Sequence, residues 1–239
     1  MRKFILHLLL CLSFVNTIAQ NNLRVDIPYL KGEESMTSTE HYTLVEEAEG
    51  AFKKMQKAAK EEEVSMKIVS SFRSYNDQKR IWNNKYKRFL KEGLTPEKVI
   101  EKIIQYSTLP GTSRHHWGTE IDIIDPNPDI EGDVLLAKHF HTGPYQKLRE
   151  WLEQNAHTYG FYLVYTKDSL RKGFNYEPWH YSYYPKSNNL LKQYLTLHVL
   201  EEIKKDTLLL GHQYLDERFI KKYKQEHILG INPLLKNWK

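Results

Sequence analysis

Apolar residues recur at positions 44, 48, 51, 52, 55 and 59, the spacing of one face of an amphipathic helix, and a strand-like run, Met66 to Phe72, follows at once. That mixture persists along the chain. The spacing predicts a second helix over Asp77 to Leu90, carrying Ile81, Trp82, Tyr86 and Phe89. A third opens at Thr95-Pro96-Glu97, with Thr95 as cap and Pro96 at the first helical position, and stops before Pro110-Gly111. Gly118 to Ile124 alternates like a strand and is closed by the turn Asp125-Pro126-Asn127-Pro128. Tyr145 to His157 reads as helix, Gly160 to Tyr165 as strand, and Trp179 to Tyr184 as a further strand. Helices and short strands therefore mix without a regular βαβ alternation. The fold class expected is α+β, a small, mainly antiparallel sheet flanked by helices. Residues 189–239 are lysine-rich with a helical pattern, which predicts a helical C-terminal extension.

The first residues have a different character. Arg2 and Lys3 precede an almost wholly apolar stretch from Phe4 to Val15, and Thr17-Ile18-Ala19 supplies small residues before Gln20. This is the order of a secretory signal peptide over 1–19, and the apolar stretch is too short to span a bilayer. The expectation is export to the periplasm, cell envelope or exterior, with no stable membrane anchor after cleavage. Cys11 is preceded by Leu10 rather than a small residue, so lipidation is not expected. Residues 20–40 are polar and read as an irregular lead-in to the domain.

Cys11 is the one cysteine. The processed chain therefore has no disulfide, no thiolate nucleophile and no cysteine metal site, and any metal must be held by His, Asp or Glu. The net charge of +5 falls to +3 without Arg2 and Lys3. That excess is spread along the chain and too weak to argue for nucleic acid.

Two short segments carry chemistry: Ser113-Arg114-His115-His116-Trp117-Gly118-Thr119-Glu120-Ile121-Asp122, and Glu177-Pro178-Trp179-His180. Positions 118, 120 and 122 share one face of the expected strand. Two imidazoles and a carboxylate, from His115, His180 and Asp122, would leave the fourth position of a tetrahedral Zn2+ open, as a catalytic site needs. Glu177, three residues before His180, would lie within reach of a water there as general base. Taken singly, each has a plainer reading. A lone histidine is more often a surface or satisfied core residue, Asp122 alone could cap a strand end, and Arg73 alone could be an exposed cation.

Together, in this order and spacing, the two segments resemble Ser-x-His-x-x-Gly-x-x-x-Asp followed by Glu-Pro-Trp-His. This is the pattern of the VanY-type D-alanyl-D-alanine carboxypeptidases, within the wider group of LD-carboxypeptidases and the hedgehog signalling domain. Ser71-Phe72-Arg73-Ser74-Tyr75 with Gln78 resembles the family's Tyr-Arg-Ser segment and its glutamine. Trp151-Leu152 with Asn155-Ala156 and Tyr159-Gly160-Phe161 resembles its helix and strand. The similarity covers roughly 40–185, so a zinc peptidase domain is expected over 41–188. The resemblance implies that His115, Asp122 and His180 are zinc ligands and Glu177 the catalytic base. It also implies that Arg73 faces substrate as an oxyanion or carboxylate partner, with Gln78 and Ser113 near the substrate's C-terminal end. The implied substrate is a peptidoglycan stem peptide, losing a C-terminal D-amino acid such as D-alanine. Trp179 is expected to pack behind His180.

Two positions depart from the pattern. Glu120 stands where the family usually has alanine, and Ser182 stands where an arginine often follows the last ligand by two residues. Glu120 could meet the metal shell, bind a cationic substrate group, or point away. Other functions fit less well. A non-catalytic zinc module predicts a lost base, yet Glu177 and Arg73 are present. Fe(II) oxygenases use a His-x-Asp/Glu pair, which the spacing of His115 and Asp122 does not match. No Gly-x-Ser-x-Gly elbow supports a serine hydrolase. An endopeptidase that cuts cross-linked stems remains the alternative within the peptidase reading.

Overall fold

The computed structural model describes residues 26–34 and 43–237; the expected signal segment 1–19 and the rest of the lead-in lie outside them. Part of the stretch expected to be irregular is a short helix, α1 (Ile27–Lys31). Asp26 caps it by accepting from the Tyr29 N–H, Pro28 lies in its first turn, and Gly32 ends it at φ 79°. Five residues are too few for an amphipathic period to show.

Helix α2 (Glu46–Glu61) buries Ala48, Phe52, Met55 and Ala59, and its first turn holds Glu46, Glu47 and Glu49, where the helix dipole favours anions. Strand β1 (Lys67–Ser70) follows. Helix α3 (Tyr75–Lys91) starts two residues before the expected Asp77, because the Ser74 hydroxyl accepts from the Asp77 N–H and caps it. Thr95 caps α4 (Pro96–Ile103) as the sequence predicts. The second strand is β2 (Glu120–Ile124). After it come α5 (Ala137–His141), α6 (Gln146–Asn155), β3 (Phe161–Leu163) and β4 (His180–Tyr183). Helices α7 (Tyr184–Thr196), α8 (Val199–Ile203) and α9 (Glu217–Tyr223) follow. Among the described residues no helix is long and apolar enough to cross a membrane.

The strands form one antiparallel sheet in the order β1-β2-β4-β3. In the central pair Glu120 faces Ser182, Ile121 faces Tyr181 and Asp122 faces His180. Strand alternation then sorts the side chains. Ile121, Ile123 and Tyr181 pack into a core with Phe52 and Met55 of α2 and Leu148 and Leu152 of α6. Glu120, Asp122, His180 and Ser182 share the opposite face. Both faces are buried, so the polar face is covered by other parts of the chain. At β1 the register shifts between Ile68 and Ser70, and this bulge places Ser70 opposite Asp122.

The C-terminal helices supply much of that cover. Leu190, Leu191, Tyr194, Val199, Ile203 and Tyr223 lie in one apolar cluster with Trp82 and Tyr86 of α3 and Val99 and Ile103 of α4. Asn232 also closes the free edge of the sheet: its N–H donates to the Val164 carbonyl and its amide to that of Leu163. Helical pattern in 189–239 was readable in sequence; its packing as a wall of the main core was not.

Candidate metal centre and active site

His115 sits in the 3₁₀ turn Arg114–Trp117, which ends at Gly118 in the left-handed region, φ 65°. That turn sends the chain directly into β2, and so brings His115 back over Asp122: His115 Nε2 lies 3.4 Å from Asp122 Oδ2. The other nitrogen of His115, Nδ1, donates to the Ser71 carbonyl at 2.7 Å, leaving Nε2 as the free donor atom. His180 arrives from the neighbouring strand. Its Nδ1 is 3.8 Å from Asp122 Oδ1 and 3.1 Å from Glu177 Oε2, while its Nε2 is 3.2 Å from Glu120 Oε2. The His115 and His180 rings are 4.7 Å apart.

One donor atom from each of His115, Asp122 and His180 lies within 4.8 Å of the others, and all three residues are buried. A tetrahedral zinc shell with bonds near 2.0–2.1 Å separates its donors by about 3.3 Å, close to the His115–Asp122 spacing. Asp122 Oδ1 is buried with no hydrogen-bond partner among the described residues. An orphaned carboxylate oxygen between two imidazoles, with no thiolate nearby, is a donor set that fits zinc.

The charges agree with this. Burial works against the ionised form of Asp122, but His115 and His180 outweigh it and hold its pKa down to about 2. Burial also opposes the charged ring of His180, yet hydrogen bonds to Glu120 and Glu177 and the charge of Asp122 push it up to about 10. Three carboxylates around one imidazole favour positive charge there.

A cavity of about 520 Å³ opens over this group, and Arg73, Ser113, His115, Asp122, Glu177 and His180 all line it. Lys85 and Asp133 also reach its wall. Arg73 is anchored by three contacts: Nη1 donates to Gln78 Oε1 at 3.0 Å, Nη2 to Ser70 Oγ at 2.8 Å, and its backbone N–H to the His115 carbonyl. The bulge in β1 is what puts Ser70 within reach. Gln78 does not line the cavity, against the expectation that it lies near the substrate's end. It is fully buried in α3, accepting from Arg73 and donating to the Thr108 carbonyl at 2.8 Å. Trp179 likewise differs: it packs against Phe140 and borders the same cavity, and the ring set edge-on against His180 is Tyr165.

Several residues that the sequence did not single out hold the site. His116 is fully buried; its Nε2 accepts from the Gly111 N–H at 3.0 Å, so its Nδ1 donates to the Arg73 carbonyl at 2.6 Å. Burial holds its pKa down to about 3, which keeps the ring neutral in that bridging form. A Cβ at Gly32 would collide with this ring. From the C-terminal helices, the Tyr194 hydroxyl donates to the Gly111 carbonyl and the Tyr223 hydroxyl accepts from the Leu109 N–H. These contacts are long-range, and no local period announces them.

The family model described as VanY, D-alanyl-D-alanine carboxypeptidase, matches residues 41–186. The chain is 32% identical over 122 residues to the bifunctional D-Ala-D-Ala dipeptidase and D-Ala-D-Ala carboxypeptidase VanXYC of Enterococcus gallinarum, covering 51% of this chain and 57% of that one. It is 28% identical over 127 residues to a D-alanyl-D-alanine carboxypeptidase of Enterococcus faecalis, covering 53% of this chain and 42% of that one. The chain thus spans about half the length of these curated relatives. Among solved structures it is similar to the LdcB LD-carboxypeptidase, with 30% identity, 68% of this chain and 69% of that one covered, and a TM-score of 0.48. With more than half of its length matched by the family model, the chain belongs to the VanY family of D-alanyl-D-alanine carboxypeptidases.

Proposed function

We propose that the protein is an exported zinc carboxypeptidase that removes a C-terminal D-amino acid, D-alanine in the first instance, from peptidoglycan stem peptides. The observation that carries this reading is the convergence of a buried His/Asp/His set, the Glu177 carboxylate beside it and an anchored arginine on one cavity. His115, Asp122 and His180 hold the metal. When bound, zinc supplies Lewis acidity toward water and toward a carbonyl oxygen.

The remaining roles belong to the chain's own side chains. Glu177 stands beside the inner nitrogen of His180 and serves as general base, accepting the proton of the attacking water and passing it to the departing amine. Arg73 engages Gln78 and Ser70 with two of its N–H groups, which leaves three of its five donors for the substrate's carboxylate. Gln78 acts by fixing Arg73, and Ser113 lies on the same wall. The signal-like order of residues 1–19 supports action outside the cytoplasm, where such peptides occur.

The test is incubation of the purified protein with defined stem peptides, followed by mass spectrometry. A pentapeptide ending in a free D-alanine should lose one residue, at least roughly tenfold faster than its C-terminal amide, because the amide leaves the guanidinium unpaired at about 1–3 kcal/mol. Loss from a tetrapeptide instead would mark an LD-carboxypeptidase. Equal rates on acid and amide, with scission of cross-links, would replace the carboxypeptidase reading by an endopeptidase. Cleavage of all-L peptides alone would defeat both.

A further inference from the structure

The two departures from the family pattern, Glu120 and Ser182, face each other across the central strand pair. They belong to one cluster. The Glu120 carboxylate is fully buried, and each of its oxygens is engaged. Oε1 accepts from Ser182 Oγ at 2.7 Å, from Thr119 Oγ1 at 3.0 Å and from Arg114 Nη2 at 3.2 Å. The same Arg114 nitrogen also donates to Ser182 Oγ at 2.7 Å, so the guanidinium neutralises the carboxylate and ties the serine into the group. Oε2 is left for a single partner, Nε2 of His180, at 3.2 Å.

That contact follows from strand geometry. Residue 120 is diagonal to residue 180 on the same face of a two-strand ladder, a separation that a long side chain spans and alanine does not. An ionised carboxylate is acceptor-only, so the His180 proton facing it must sit on Nε2. In the ring that carries one proton, the form a metal ligand must take, the lone pair of Nδ1 then points toward Asp122 and Glu177. His115 is set in the same way by the Ser71 carbonyl, but through a neutral acceptor.

We propose that Glu120 is a positioning residue for the metal centre: it fixes the tautomer and ring orientation of His180 and strengthens Nδ1 as a ligand, with Arg114 and Ser182 holding the carboxylate in place. The assignment rests on the zinc reading of the site. It gives both departures one cause. The Arg114 guanidinium compensates the carboxylate that stands in place of alanine, and Ser182 donates to that carboxylate while accepting from the same guanidinium. A carboxylate paired to the outer nitrogen of a ligating histidine is worth about 10–100-fold in metal affinity where it has been removed.

The experiment compares the wild-type protein with Glu120→Ala and Glu120→Gln. It reads the zinc dissociation constant by competition with a chelator, the visible spectrum after cobalt substitution, and the melting temperature. Glu120→Ala is expected to bind zinc about 10–100-fold more weakly, with a changed cobalt spectrum. Glu120→Gln keeps the shape and an acceptor oxygen but not the charge, and is expected to fall between the two. If the alanine variant fails to fold, the glutamine variant decides. Wild-type zinc affinity and cobalt spectrum in either folded variant, even with a lowered melting temperature, would overturn the assignment and leave Glu120 a core residue. A wild-type protein that binds no zinc would overturn the metal reading itself, which the variants alone cannot do.

Discussion

Replacing Tyr223 with phenylalanine removes one oxygen from the C-terminal helices and should be felt in the cavity. The Tyr223 hydroxyl accepts from the Leu109 N–H at 3.0 Å and lies 2.9 Å from Thr112 Oγ1. Thr112 already donates to the Leu109 carbonyl at 2.8 Å, so the tyrosine proton goes to Thr112. All three groups are buried. Stranding a buried N–H costs about 1–3 kcal/mol. The ring's stacking on His227, 4.6 Å between centroids, survives the change, so the substitution isolates the hydroxyl. A chain of this size loses about 2–4 °C per kcal/mol, so a cost near 2 kcal/mol lowers the melting temperature by roughly 4–8 °C. The loop that this hydroxyl holds carries Ser113 into the cavity and leads into His115. A loosened loop should raise KM for a stem pentapeptide several-fold while zinc content stays at the wild-type level. Thermal melting, elemental analysis and steady-state kinetics read the three quantities. A melting temperature within a degree of wild type would refute the energetic argument. A lowered one with unchanged KM would refute the link from the C-terminal helices to the substrate wall.

Other perturbations have equally definite outcomes. His180→Ala should lose most of its zinc by elemental analysis, since two ligands remain; full retention would remove His180 from the metal shell. Arg73→Lys should lose much of the preference for the free acid over the amide, because a lysine offers a point charge in place of a planar fork; an undiminished preference would assign carboxylate recognition elsewhere. Burial holds His227 from the usual 6.5 down to about 4. The ring is therefore neutral in the fold while the unfolded chain takes up the proton first, so stability is full above about pH 7 and falls as pH drops from 6.5 toward 4. A fall from 6.5 to about 4 limits that loss to roughly 3–4 kcal/mol. Urea midpoints at pH 7 and pH 4.5 should differ less in His227→Phe than in wild type, and an identical difference would show that this ring does not carry the acid sensitivity.

What the sequence displayed and what it hid divide along physical lines. The helices α2, α3 and α4 carry local signals, a 3.6-residue apolar stripe or a capping serine or threonine, and each forms near its expected place. The strands at 120–124 and 180–183 were likewise visible, and their pairing brings together the two motif segments. What stayed hidden depends on distance along the chain. Gln78 sits on the predicted helix, yet whether its amide meets substrate or Arg73 is decided by the bulge in β1 and by the 107–108 loop. Trp179 was expected behind His180, but its ring packs against Phe140 and borders the cavity, and the ring set edge-on against His180 is Tyr165. The function of Glu120 was left open among three alternatives for the same reason: only the register that sets it against Ser182, and diagonal to His180, selects one partner for its free oxygen.

The central claim is that Glu177 moves a proton at a zinc site it does not build, and Glu177→Gln tests it most directly when zinc content and turnover are measured on the same sample. The amide keeps the size of the side chain and can still hydrogen-bond to water, but it cannot accept water's proton. The account predicts about one zinc per chain, as in wild type, together with a kcat on a stem pentapeptide lower by ~10²–10⁴-fold. A variant that holds its zinc and turns over at near the wild-type rate would contradict the account and move the base to another carboxylate.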